Sequence, residues 1–157
     1  MSELTQGQKA PALDLPTDDD GRFNLAEAGG PVVVFFYPKA DTPGCTNEAI
    51  DFSSHKAGFD ALGVTVVGVS RDPVKKLARF RAKHDLTVLL ASDEQGKVTE
   101  AWGVWVEKQL YGRSYMGVER ATILVGADGL IARVWRKVSV KGHAQEVLAA
   151  AARLENS

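Results

Sequence analysis

Val64-Thr65-Val66-Val67-Gly68-Val69-Ser70 is β-branched and almost wholly apolar. A strand reads this way when both faces of its sheet are covered, because neither face then presents side chains to water. Val32 to Tyr37 and Ala121-Thr122-Ile123-Leu124-Val125 have the same character. A sheet of such strands needs outer layers, and the chain supplies helical stretches between and after them. Parallel strands require right-handed crossovers, which place those helices over the sheet.

Taken in order, residues 1–11 are polar and end at Pro11. Ala12 to Thr17 alternates like a strand, Asp18-Asp19-Asp20-Gly21 is a turn, and Arg22-Phe23-Asn24 returns, which predicts a hairpin. Leu25 to Ala28 is one helical turn stopped by Gly29-Gly30. After the strand Val32–Tyr37, a helix is expected from Pro43 to about Leu62. Ala49, Phe52 and Phe59 share its buried face, while Asp51, Ser54 and Lys56 point outward. Asp72-Pro73 is expected to cap the next helix, whose buried side carries Leu77, Ala78 and Phe80. Thr87 to Leu90 reads as a short strand and Lys97 to Trp102 as a short helix. Gly103 to Met116 reads as an irregular or strand-like excursion. Leu130 to Val138 alternates as the antiparallel partner of the Ala121–Val125 strand, and His143 to Leu154 is an amphipathic helix using Val147, Leu148 and Ala151. The expected fold is α/β, with the element order of a thioredoxin-like fold: a central mixed sheet flanked by helices, with an N-terminal β-hairpin extension. Residues 1–157 are read as one such domain.

Composition narrows the function. A net charge of −1 gives no electrostatic reason to expect nucleic acid or an anionic membrane as partner. No stretch approaches the roughly 18 apolar residues of a membrane span. Met1 to Gln6 has neither a basic start nor an apolar run, so no signal peptide is read there. One cysteine excludes an internal disulfide, a two-cysteine redox motif and a multi-cysteine zinc site. His55, His84 and His143 have no ligand spacing, and surface or capping roles are expected of them. No metal and no cofactor is expected, and a reducing, cytoplasmic setting is the default for a free thiol.

That cysteine, Cys45, lies just beyond the strand Val32–Tyr37. Thr42-Pro43 before it is a helix-start signal, because Thr can cap and the N–H that Pro lacks would be unpaired at the first helical position. Cys45 then falls at about the third helical residue, where free N–H groups and the positive end of the helix dipole gather and favour the nucleophilic thiolate. Gly44 removes a side chain next to the sulfur. A lone cysteine is more often a buried structural residue, but the edge of an α/β sheet where a strand meets a helix is where ligands bind. Tyr37 and Trp102 read as core. Thr42 has two roles open to it, helix cap and substrate contact.

Pro38-x-x-x-Thr42-x-x-Cys45 resembles the active-site motif of the peroxiredoxins. The longer strings Phe36-Tyr37-Pro38, Asp41 to Thr46 and Glu48-Ala49 are similar to the bacterioferritin comigratory protein (PrxQ) branch. So are Tyr111-Gly112, Tyr115-Met116-Gly117, Arg120-Ala121-Thr122, Val134 to Val138 and Lys141-Gly142-His143. The resemblance implies a thiol peroxidase that reduces hydrogen peroxide and organic hydroperoxides through a Cys45 sulfenic acid. It implies that the Thr42 hydroxyl and the Cys45 N–H bind the peroxide, that Pro38 shields the thiolate, that Arg120 polarises both, and that Glu48 orients Arg120. By itself, Arg120 reads as a solvated charge at a strand start, and Glu48 as a favourable charge in the first helical turn.

Many members of that branch carry a second cysteine five residues after the first; here Ile50 stands at that place. Five residues turn a helix through about 140°, so such a pair points apart until the helix unwinds. With Ile50 that step is absent. The sulfenic acid must then be reduced by an external thiol such as glutathione, a glutaredoxin or a thioredoxin, and over-oxidation is expected when thiol is scarce. The alternative is a redox-sensing, thioredoxin-like binding module without turnover. No long C-terminal arm of the kind seen in dimeric peroxiredoxins is present, so a monomer is expected.

Overall fold

The computed structural model describes residues 4–154. Residues 1–3, the start of the stretch read as polar and free of a signal peptide, lie outside the described residues.

The central sheet has five strands in the order β5-β4-β3-β8-β9. They are β3 (Val32–Phe36), β4 (Thr65–Ser70), β5 (Leu89–Ser92), β8 (Ala121–Val125) and β9 (Ile131–Trp135). β3 runs parallel to β4 and β4 to β5, while β8 is antiparallel to both β3 and β9. The mixed sheet is therefore as expected, and β3, β8 and most of β4 are buried throughout. Successive side chains of β3 take opposite faces. Val33, Phe35 and Tyr37 join one core with Phe52, Phe59, Leu77, Phe80 and Val147. Val32, Val34 and Phe36 join a second with Leu13, Phe23, Val98 and Trp102. Two apolar faces explain why these strands show no polar alternation.

The first core lies under α1 (Pro43–Ser54), α2 (Lys56–Ala61), α3 (Val74–His84) and α5 (His143–Leu154). The second lies under α4 (Lys97–Ala101) and the N-terminal hairpin of β1 (Asp14–Pro16) and β2 (Arg22–Asn24). Trp102 and Tyr37 are core residues, as expected.

Several expected boundaries move. The helix after Cys45 is broken at His55, whose N–H is shared between the Asp51 and Phe52 carbonyls. Ser54 Oγ and His55 Nδ1 both turn back to the Asp51 carbonyl, and such side-chain bonds compete with the helical ladder. Asp72 does not cap α3. Pro73 stands at the N-cap without a side-chain bond, and the Asp72 carboxylate is turned to the loop after β3. Strand β5 begins two residues later than read, because Thr87 is held by Ser53 Oγ instead. Strand β9 is shorter than Leu130–Val138. Arg136 turns to Glu119, and Lys137 takes a φ of 49°. Gly103 to Met116 is mostly regular: β6 (Trp105–Leu110) and β7 (Arg113–Val118) form a hairpin apart from the main sheet. Tyr111 and Gly112 at its tip both have positive φ, as a tight two-residue hairpin turn requires.

His143 is not a surface residue. It is 6% exposed, lies edge-on to Phe52 and Trp135, and its Nε2 is 2.8 Å from the Thr122 hydroxyl of β8. His55 and His84 do sit in the last turn or at the end of helices.

Candidate active site

Strand β3 delivers the chain to the sheet's edge at Phe36, and the next residues form a loop fastened by two carboxylates. Asp72 Oδ2 accepts the Ala40 N–H at 2.7 Å and the Ser70 hydroxyl at 2.7 Å, and Lys76 pairs with Oδ1 at 3.2 Å. Asp41 has a φ of 64°, a left-handed conformation that Asp tolerates better than most residues. Its carboxylate bonds to Lys83 Nζ at 3.0 Å and His84 Nε2 at 2.9 Å in the last turn of α3. Both partners hold Asp41 below the usual carboxylate range, His84 most strongly.

The anchored loop sets Thr42 at the helix start. Its backbone is extended and its carbonyl accepts the Thr46 N–H at 2.8 Å. Its side chain does not cap; the hydroxyl donates to the Lys39 carbonyl at 2.7 Å. Of the two roles open to Thr42, side-chain capping is excluded. Donating its proton to Lys39 leaves the oxygen's lone pairs as acceptors.

Cys45 is the third residue of α1 and is 1% exposed. Its N–H makes no hydrogen bond among the described residues, as first-turn geometry dictates. Arg120 Nη2 lies 3.4 Å from its Sγ, and Arg120 Nη1 donates to Glu48 Oε1 at 2.8 Å. The register explains this meeting. Ala121 of β8 stands opposite Phe36 of β3, so the residue before it reaches the edge where α1 begins. Gly44 makes room: a Cβ there would lie 3.1 Å from Arg120 Nη2.

Burial pushes the Glu48 carboxyl up to about 7, against the pull of the Arg120 guanidinium. Its Oε2 has no hydrogen-bond partner among the described residues. Burial also works against the Arg120 charge, but the Cys45 sulfur and the Glu48 carboxylate outweigh it and raise Arg120 above its ordinary value. One guanidinium thus faces a sulfur and a carboxyl with two different nitrogens, a fork that lysine cannot offer.

Pro38 is half-buried and stands at the rim of a cleft of about 410 Å³, with Lys39, Arg71, Trp105, Lys108, Tyr115 and Met116 among its lining. Cys45 and Arg120 are not part of that lining. The structure therefore brings Cys45, Glu48 and Arg120 together, and places Thr42 and Pro38 at the loop leading to them. Sequence reasoning missed Asp72 and Asp41 as loop anchors and Lys108 as a cation near the site. A lysine in an unassigned stretch carries no signal of its own. Among the described residues no three His, Cys, Asp or Glu side chains converge as metal ligands.

Comparison with known proteins places the chain in a family. The AhpC/TSA family model matches residues 6–134. The peroxiredoxin Bcp of Bacillus subtilis is 43% identical over 143 residues, covering 90% of this chain and 91% of its own. A putative peroxiredoxin of Coxiella burnetii is 44% identical, covering 90% and 95%. The structure of Xanthomonas campestris peroxiredoxin Q superposes with a TM-score of 0.86 at 40% identity, covering 90% of each chain. A structure of the Xanthomonas campestris bacterioferritin comigratory protein, from work on its alkyl peroxide reduction activity, gives 0.88 at 38% identity, covering 95% and 98%. A family match over most of the chain, this extent of identity and this closeness of superposition have one explanation: the chain belongs to the AhpC/TSA family and, within it, to the Bcp/PrxQ peroxiredoxins.

Proposed function

We propose that this chain is a thiol-dependent peroxidase that reduces hydrogen peroxide and organic hydroperoxides with Cys45 as its one redox centre. The observation that carries the proposal is the Arg120 guanidinium, within reach of both the Cys45 sulfur and Glu48. The thiolate attacks the terminal oxygen of the hydroperoxide. An S–O bond forms and the O–O bond breaks; the peroxide's own proton goes to the departing oxygen, which leaves as water or an alcohol, and the sulfenate on Cys45 takes a proton from solvent to become a sulfenic acid. Charge moves along three atoms in that step, and fixed donors aimed at them stabilise the transition state without reorganising. Arg120 and the Cys45 N–H are such donors, and the Thr42 oxygen accepts a hydrogen bond from the O–H of the attacked peroxide. Pro38 limits water at the sulfur, and Glu48 holds the guanidinium in place.

With Ile50 in place of a second cysteine, the reductant is an external thiol. The site needs residues of one chain only, which supports a monomer, and residues 1–157 are taken as one domain. A free thiol as the sole cysteine fits a reducing, cytoplasmic setting. No helix among the described residues is long and apolar enough to cross a membrane.

Stopped-flow mixing with hydrogen peroxide and with an alkyl hydroperoxide, followed by peroxide consumption under excess thiol, tests the proposal. Rapid single oxidation and sustained turnover, both abolished by Cys45→Ser, are expected. Oxidation without turnover would favour the redox-sensing alternative, and a sulfur inert to peroxide would overturn both.

A further inference from the structure

The cleft beside Pro38 is lined by two lysines, Lys39 and Lys108, whose ammonium groups have no direct ion pair among the described residues. Its carboxylate, Asp72, is engaged by Ala40, Ser70 and Lys76. Arg71 is engaged as well: its guanidinium lies 3.4 Å over the Trp105 ring, donates to Thr99 Oγ1 and the Gly96 carbonyl, and lies 3.9 Å from Glu100 Oε1. The Lys39 and Lys108 ammonium groups have no hydrogen bond or ion pair among the described residues. Lys108 is half-buried on β6, close enough to Cys45 and Arg120 for their charges to act on it. Burial first, and then the Arg120 charge, disfavour its ammonium, and outweigh the opposite pull of the Cys45 and Glu119 charges. Keeping a partly desolvated cation without a direct ion pair is costly, and an arriving anion offsets that cost. Trp105 and the half-exposed Tyr115 and Met116 supply apolar walls.

A chain with one cysteine must receive its reducing electrons from another molecule. We propose that this cleft docks the reductant, and that the reductant is a small thiol bearing carboxylates, of the glutathione class. The inference rests on the peroxidase reading of Cys45. The carboxylates pair with Lys108 and Lys39, the apolar part lies on Trp105 and Met116, and the sulfhydryl approaches Cys45 past Pro38. A recess of about 410 Å³ encloses a tripeptide; two folded proteins instead share a broad face. The chemistry closes without another reactant. The thiol sulfur bonds to the Cys45 sulfur, the S–O bond breaks, and the hydroxyl leaves as water with the thiol proton. A second thiol then attacks the sulfur of the bound one, and the S–S bond to Cys45 breaks. A disulfide departs, the Cys45 thiol returns, and two electrons have passed from two thiols to the sulfenic acid.

The test compares glutathione with its diethyl ester, which lacks both carboxylate charges. Each thiol's rate is corrected for its reactivity toward a free disulfide. The full chain is first oxidised with one equivalent of hydrogen peroxide, then mixed with either thiol, and sulfenic acid loss is followed by intact mass. Glutathione should be about tenfold faster than the ester, and Lys108→Gln should bring that ratio near one, with Lys108→Arg restoring part of it. Because both thiols meet the same sulfenic acid, the ratio is insensitive to changes in Cys45 itself. A ratio near one on the unmodified chain, or one untouched by Lys108→Gln, overturns the inference. If peroxide fails to oxidise Cys45, the peroxidase reading falls at the first mixing step. The cleft is then judged by calorimetric titration of the Cys45→Ser chain: saturable glutathione binding, weakened about tenfold by esterification, is expected, and no binding overturns it.

Discussion

Arg120 Nη1 and Glu48 Oε1 lie 2.8 Å apart across 72 positions of sequence, and the same guanidinium reaches the Cys45 sulfur with its other terminal nitrogen. Glu48 and Cys45 share a helix face three residues apart, so Arg120 stands as the cation between two groups that would otherwise repel. Arg120→Ala should slow peroxide oxidation of Cys45 by a hundredfold or more, on the order of the loss of one oxyanion donor. Arg120→Lys should recover little of it, because one ammonium cannot serve both partners. Stopped-flow oxidation rates decide this, and a lysine variant of full activity would contradict it.

Gly44→Ala separates positioning from stability. The added Cβ meets the far end of the flexible Arg120 side chain at 3.1 Å and nothing else within contact distance. The guanidinium gives way, so the oxidation rate should fall about tenfold, while helix propensity leaves stability level or raises it by up to about 1 kcal/mol. Rate and thermal melt are both read, and an unchanged rate would show that Arg120 tolerates displacement.

Glu48 gives a pH signature. Its native value of about 7 is above its ordinary 4.5 because it is buried. The native state therefore holds this proton more tightly than the unfolded chain does. The stabilisation is complete below about 4.5 and is lost as pH rises through about 7, at most on the order of 3 kcal/mol. Glu48→Gln should flatten this part of the profile. Urea melts of both chains from acid to neutral pH measure the difference, and parallel profiles would refute it.

His143 has the opposite sign. Burial lowers it below its ordinary 6.5. Its stabilisation is present above about that pH and is lost as pH falls through the lower native value. Its imidazole bonds to the buried Thr122 hydroxyl, so His143→Leu leaves that hydroxyl unpaired and should cost about 1–3 kcal/mol at neutral pH. The variant should also lose the decline attributable to His143 on acidification. A variant as stable as the parent at neutral pH would show that the pair contributes nothing.

Thr42→Val should reduce the oxidation rate about a hundredfold while changing stability by no more than about 1 kcal/mol, since no cap bond is lost. Thr42→Ser should keep most of the rate. A large loss of stability in the valine variant would mean that the hydroxyl's bond to Lys39 holds the loop.

Much was legible before any coordinates. Strands buried on both faces are written in runs such as Val32–Tyr37, and Thr42-Pro43 fixes where α1 begins and hence that Cys45 lies in its first turn. These are local facts, set by backbone sterics and by the burial of near neighbours in the chain. The hairpin β6–β7 was obscure because its residues are mostly solvent-facing, so no apolar rhythm marks its strands. The role of Asp72 was misread because a carboxylate before a proline looks the same whether it caps the next helix or reaches to Ala40, thirty-two residues away.

The sequence alone determined that a lone cysteine would sit at a helix start at the edge of a covered sheet, and its motifs indicated which residues to watch. Only the tertiary structure decided that Arg120 stands over that sulfur rather than in solvent. Its place follows from the antiparallel register of β8 on β3, with Ala121 opposite Phe36. Strand registers are long-range pairings chosen by the burial of whole faces, and a slip of one residue would carry every side chain of β8 to the other side of the sheet.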